Sequence, residues 1–261
     1  MRFTIFQASR VGARQYQQDR IGYWQTNDAL LMLVADGMGG HARGELAAQA
    51  ALEHVAESFQ REARPSIVDP EAFLFNALGG AHQLIHQQAQ ALRLPDTPRT
   101  TVVACVVQVG HAWWSHVGDS RLYHIRRGMV CARTRDHTRV QELVDAGRMR
   151  EEAVPSHPDR NKLLRCLGSD APPKVDSAAC ARLAKDDVIL LCSDGFWGPL
   201  SQRQLLGRLM SKPLAAALPE LMSLAEARAG KQCDNLSIVA MAWGEDELAD
   251  ASVTSSKSRW A

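Results

Sequence analysis

Residues 101–133 read TVVACVVQVGHAWWSHVGDSRLYHIRRGMVCAR. Four apolar runs, Thr101–Val109, Ala112–Val117, Arg121–Ile125 and Met129–Arg133, are separated by short polar turns, the signature of strands joined by tight connections. The stretch predicts an antiparallel meander. Upstream, Phe3–Ala8, Arg20–Thr26 and Ala29–Ala35 read as strands, with Asn27-Asp28 as a hairpin turn. Two helices follow. Ala48, Leu52, Val55 and Phe59 share one face of a 3.6-residue period, and so do Leu74, Leu78, Ala81 and Ile85. Pro65 closes the first, and Pro95 and Pro98 the second.

Downstream, His137–Arg165 breaks the pattern, with a short helix around Val140–Asp145 and then a polar stretch holding Pro155 and Pro158. It predicts a flap. Strands return at Lys174–Ala181 and Asp187–Cys192, helices at Ser201–Met210 and Leu214–Arg228, and a last strand at Leu236–Trp243. Strands, two helices, strands, two helices and one strand do not make the βα alternation of a parallel sheet. The expected class is α+β, with antiparallel sheets covered by helices. No linker or repeat divides the chain, so residues 1–244 are expected to be one domain and the polar residues 245–261 a disordered tail.

Composition narrows the function. Of 261 residues, 46% are hydrophobic and 23% charged, which excludes collagen-like, disordered and membrane-embedded chains. Lys plus Arg number 30 and Asp plus Glu 29, a net charge of +1 that gives no electrostatic case for nucleic acid or an anionic membrane. The six cysteines form no CxxC pair and lie in apolar surroundings, so they are expected to be reduced, buried small hydrophobes. MRFTIFQASR has no apolar h-region, and the apolar runs are too short to span a bilayer, so the expectation is a cytoplasmic protein.

One feature carries chemistry. Apolar strands end in an aspartate beside glycine at Asp36-Gly37, Gly118-Asp119 and Asp194-Gly195, and Asp234 directly precedes the last strand. Each Asp-Gly pair is also an ordinary turn signal. Carboxylates gathered at one end of a sheet repel one another unless a cation holds them. All-oxygen ligands favour Mg²⁺ or Mn²⁺ over zinc, and a glycine lets a carbonyl approach as a further ligand. Arg14 lies five residues before Asp19 and offers a bidentate fork for a phosphate. DGMGGH at 36–41 lacks the Gly-Lys-Ser/Thr ending of a nucleotide-binding P-loop.

In order along the chain, GARQYQQD at 12–19, VADGMGGH at 34–41, RTT at 99–101, VGDSRLY at 117–123, DHT at 136–138, LLRCLG at 163–168, SDGFW at 193–197 and DN at 234–235 resemble the motifs of PPM-type metal-dependent protein serine/threonine phosphatases, the protein phosphatase 2C-like family, in its bacterial form. The resemblance implies a four-layer α-β-β-α sandwich of two antiparallel sheets flanked by helix pairs, with two or three Mn²⁺ or Mg²⁺ ions at one end. It implies that Asp36 bridges two metals with the Gly37 carbonyl beside it, that Asp194 and Asp234 complete the second metal's shell, and that Asp119 binds a third. It implies that Arg14 holds the substrate phosphate and Asp19 orders a metal-bound water. The function implied is hydrolysis of phosphoserine and phosphothreonine in proteins, by a monomer that opposes a serine/threonine kinase. The alternatives are a non-catalytic phosphoprotein-binding regulator that retains the metal site, and a hydrolase of small phosphoesters.

The chain departs from the pattern at several positions. Gln17 and Gln18 replace Asn and Glu of the first motif, and Arg99 replaces the Gly before Thr100-Thr101. Met38 stands where some relatives carry a histidine general acid, leaving His41 as a candidate. His111, His116 and His124 are expected to be structural, and Trp113, Trp114 and Trp197 core or cleft wall. His137 and His157 flank the flap within reach of substrate. The flap arginines Arg139, Arg148, Arg150 and Arg160 read as a solvated face.

Overall fold

A computed structural model describes residues 1–38, 43–176 and 178–244. The chain runs β1 (Phe3–Arg10), β2 (Arg20–Gln25), β3 (Ala29–Ala35), α1 (Gly44–Glu62), α2 (Pro70–Ala91), β4 (Val102–Gln108), β5 (His111–Val117), β6 (Arg121–Arg126), β7 (Met129–Arg133), α3 (Arg139–Asp145), β8 (Ala179–Arg182), β9 (Val188–Cys192), α4 (Asp194–Trp197), α5 (Gln202–Ser211), α6 (Leu214–Ala229) and β10 (Leu236–Trp243). One antiparallel sheet has the order β1-β10-β9-β6-β7 and the other β2-β3-β4-β5-β8. The expected tail 245–261 and His41 lie outside the described residues. Among the described residues no helix is long and apolar enough to cross a membrane.

Side-chain parity builds the layers. Successive residues of a strand face opposite sides, so a strand covered on both faces reads as a continuous apolar run. In β3, Leu31, Leu33 and Ala35 pack on α1 and α2, while Leu30, Met32 and Val34 face the other sheet. In β10, Val239 and Met241 meet that same middle core, while Ile238, Ala240 and Ala242 face α5 and α6. Three apolar layers thus separate four structural layers in the order α-β-β-α. The predicted helical stripes, 48/52/55/59 and 74/78/81/85, are buried throughout, as are Leu214, Leu218, Leu221 and Ala225 of α6. Helix starts are fixed locally: Asp69 accepts the Ala72 N–H at 3.0 Å, and Ser201 forms a capping box with Gln204.

The meander is corrected. β4 and β5 pair in one sheet, and β6 and β7 pair in the other. The chain changes sheets at Gly118-Asp119-Ser120. A run that is apolar on both faces carries no mark of the sheet it joins, and Gly118, at φ 112°, turns the chain across. In place of the strand expected at Lys174–Ala181 the structure has β8 at Ala179–Arg182, paired with His111–Trp114 of β5. All six cysteines are free, but only four are buried; Cys131 and Cys180 are exposed on the edge strands β7 and β8. The short helix α4, directly after β9, is an element the periodicity did not indicate.

Candidate active site

The strand ends coincide. Arg20 of β2 pairs with Ala35 of β3, Val102 of β4 with Val117 of β5, and Cys192 of β9 with Ile238 of β10. Asp19 before β2, Asp36 after β3, Asp119 after β5, Asp194 after β9 and Asp234 before β10 therefore emerge at one end of the sandwich. Rigid strands from both sheets deliver them, so all of the expected acids are brought together.

The convergence shifts their titration. Burial first, and then the charges of Asp19, Asp194, Asp119 and Asp234, hold Asp36 well above the usual carboxylate range. Asp194 is pushed up to about 6 by burial and then by Asp234, with Asp36 within hydrogen-bond reach. Asp119 is raised by burial, then by Asp194 and Asp136. Asp19 is pushed up to about 7, chiefly by burial, against the opposing bonds from Ser237 and Ser193. Ser193 Oγ donates to Asp19 Oδ2 at 2.9 Å, while Asp19 Oδ1 is buried with no hydrogen-bond partner. An orphaned carboxylate oxygen interacting with the carboxylates of Asp36, Asp194 and Asp234 is costly unless a cation or its water completes it. The all-oxygen donor set, with Gly37 packed so closely on the Gly44 and Gln18 carbonyls that a Cβ would lie 2.5 Å from one of them, fits a hard divalent cation.

Arg14 reaches this cluster from the loop between β1 and β2. Its Nη2 donates to Asp234 Oδ2 at 2.7 Å, and the side chain stays 54% exposed. Asn235 shapes that loop: its Nδ2 donates to the Val11 and Tyr16 carbonyls, and its Oδ1 accepts the Gln18 N–H. Gln17 fits without disturbing Arg14, since its amide bridges Ser9 Oγ, the Arg10 carbonyl and the Asp19 N–H. Thr100 and Thr101 fix the other side by donating to the Asp36 carbonyl. Arg99 supplies only its backbone there, accepting the Met38 N–H, and its Nε is buried without a partner.

Asp119 is clamped on both sides. Gly118 N–H donates to His137 Nδ1 at 3.1 Å, and the Gly118 carbonyl accepts the His137 N–H. Trp197 Nε1 donates to the Asp119 carbonyl at 3.0 Å. Behind Trp197, Arg121 stacks 3.3 Å from the ring centroid and grips Asp136 with two bonds. His137 is therefore a buried structural group, not one that meets substrate. His157 Nδ1 accepts the Asp159 N–H within the flap, at a half-buried position. His124 bonds Asp187, and His116 the Arg135 carbonyl, as expected of structural histidines.

Among the described residues, the His/Cys/Asp/Glu trio whose ligand atoms lie within 4.8 Å of one another is not in this cluster but behind it: His116, His137 and Asp176. The Gly118 N–H on His137 Nδ1 leaves that ring's proton on Nε2, facing Asp176 at 3.1 Å. The Arg165 guanidinium already lies 2.8 Å from Asp176. These two bonds make the trio an ion-paired brace rather than a metal site.

The acids open on a cleft of about 670 Å³. Its lining includes Arg14, Asp119, Asp194 and Asp234, Arg160 and Asn161 of the flap, and Trp197 and Arg228.

The fold and site together define a hydrolase-like cation and phosphate centre at the end of a β-sandwich. Comparison with known proteins gives the family. The Protein phosphatase 2C profile matches residues 7–232. A putative protein phosphatase 2C-type of Streptococcus pyogenes is 30% identical over 86% of this chain and 91% of its own. The serine/threonine protein phosphatase PstP of Mycobacterium tuberculosis is 34% identical over 81% of this chain, which spans 40% of PstP's length. The structure of the PstP catalytic domain in complex with 2 manganese ions superposes with a TM-score of 0.75 at 28% identity, covering 92% of this chain and 99% of that one. Staphylococcus aureus Stp1, a serine/threonine phosphatase, gives 0.86 at 25%, covering 94% and 96%. The chain belongs to the protein phosphatase 2C family, and the catalytic reading stands over that of a non-catalytic regulator.

Proposed function

We propose that residues 1–244 form one phosphatase domain that hydrolyses phosphoserine and phosphothreonine in proteins with Mn²⁺ or Mg²⁺. The observation that carries this reading is the gathering of five carboxylates, one of them Asp19 with a buried, unpartnered oxygen, beside an arginine half open to the cleft. Asp36, the Gly37 carbonyl, Asp194 and Asp234 would hold two ions, and Asp119 a third; the PstP catalytic domain in complex with 2 manganese ions supports the two-ion part of that reading. When bound, the cations supply an acidified water and neutralise the phosphoryl oxygens.

The chain's own residues do the rest. The free part of the Arg14 fork binds the phosphate and sets it over the acids. Ser193 holds one Asp19 oxygen so that the other accepts a hydrogen bond from the attacking water and orients it in line with the ester bond. As the water oxygen bonds to phosphorus, the bond to the Ser or Thr oxygen breaks and that oxygen takes a proton. Met38 has none to give, which leaves a bound water or another group, with His41 a candidate, as the source of that proton. No cysteine-arginine loop is present to form a phosphoenzyme. The protein acts as a cytoplasmic monomer opposing a serine/threonine kinase, and its net charge of +1 gives no electrostatic case for nucleic acid or an anionic membrane.

The test is phosphate release from a phosphothreonine peptide. Turnover is expected with Mn²⁺, none with chelator, and a loss of about a hundredfold or more in Asp194→Asn. Equal turnover with and without metal overturns the reading.

A further inference from the structure

The second half of the chain is unevenly charged. Between residues 201 and 232 it carries five basic side chains, Arg203, Arg208, Lys212, Arg228 and Lys231, against two acidic ones, in a protein of net charge +1. Both acids are already engaged: Glu226 pairs with Arg10, and Glu220 with Lys212 and Arg208. Arg203 on α5 and Arg228 on the last turn of α6 are exposed, and neither has an ion-pair or hydrogen-bonding side-chain partner among the described residues.

Arg228 has a particular place. It lines the catalytic cleft, and it also lines an open groove of about 700 Å³ formed with Ser201, Arg203, Gln204 and Arg208. The groove contains no acidic side chain. A cationic track therefore leaves the cleft at Arg228 and continues over α5. Unpaired guanidiniums beside a substrate cleft raise the local concentration of anionic ligands and match carboxylates bidentately.

We propose that this track is a substrate-docking surface that selects phosphoproteins with acidic residues flanking the phosphorylated Ser or Thr. The proposal rests on the phosphatase reading of the site and deepens it: the acids and Arg14 take the phosphate, while Arg228 and Arg203 take the flanking carboxylates. The preference is electrostatic and exposed, so each contact is worth a factor of a few and salt weakens it.

The experiment compares kcat/KM for phosphothreonine peptides flanked by three Glu, three Ala or three Lys, with Mn²⁺. The wild-type protein is expected to favour the Glu peptide over the Ala peptide about tenfold at low salt, and to lose that advantage at about 0.5 M NaCl. The double variant Arg203→Glu/Arg228→Glu is expected to favour the Lys peptide, a reversal that a merely damaged protein would not show. Equal turnover of the wild type on all three peptides, an advantage that persists at high salt, or an unchanged Glu preference in the variant overturns the proposal. The wild-type salt series decides it even if the variant does not fold. Failure of the parent reading looks different: the metal-loaded wild type then turns over no peptide at all.

Discussion

Gly118 stands at φ 112°, and a Cβ there would lie 2.5 Å from Thr101 Cβ. The glycine lets the chain leave one sheet, meet His137 and present Asp119 to the cleft. Gly118→Ala is expected to cost about 3 kcal/mol or more, from positive φ and overpacking together. Gly110→Ala, at φ 69° in open space, is expected to cost about 1 kcal/mol. Urea unfolding of the two variants checks this, and equal losses would mean that the packing against Thr101 does not matter. At this scale the sequence was most legible for Asp36, Asp119, Asp194 and Asp234, because each sits at the junction of an apolar run and a turn. The partners were not legible. Ser193 holds Asp19, and Asn235 shapes the loop that presents Arg14, across separations that no local pattern records.

Elements show the same division. Every helix stripe and most strands follow from periodicity, yet the sheet to which β6 and β7 belong does not, since their neighbours are apolar on both faces. The flap's attachment was equally hidden. At one root His137 accepts the Gly118 N–H, and at the other His82 accepts the Gly168 N–H at 3.2 Å. Both rings must be neutral to do so. Burial, and then His116, push His137 down to about 4, and burial lowers His82 and His116 as well. Because these folded-state values lie below the ordinary 6.5, the stability they contribute is complete above about pH 6.5 and is lost as pH falls toward 4. His137→Phe leaves the Gly118 N–H unpaired, at an expected cost of about 1–3 kcal/mol at pH 7. It should also flatten the fall in stability between pH 7 and 5. Denaturant midpoints at the two pH values read both effects, and a variant with the wild-type slope would remove His137 from the account.

For the whole molecule, the sandwich supplies a rigid end on which carboxylates from two sheets are held closer together than their charges favour. Asp19 at about 7 and Asp194 at about 6 lie above their ordinary 3.8. Groups raised in this way favour the folded state at low pH, and that stability is lost as pH rises through the folded values. The histidines act in the opposite direction, so the metal-free melting curve mixes two trends. The increment produced by a cation isolates the acids, since ligand binding to the folded state adds stability in proportion to its affinity. The decisive measurement is the Mn²⁺-induced rise in Tm from pH 5 to pH 8, for the wild type and Asp194→Asn. The account predicts a rise that grows as pH passes through about 6–7 and shrinks sharply in the variant. A rise that is absent, flat with pH or equal in the variant would contradict it, because the acids at the end of the sandwich would then not be the cation's site.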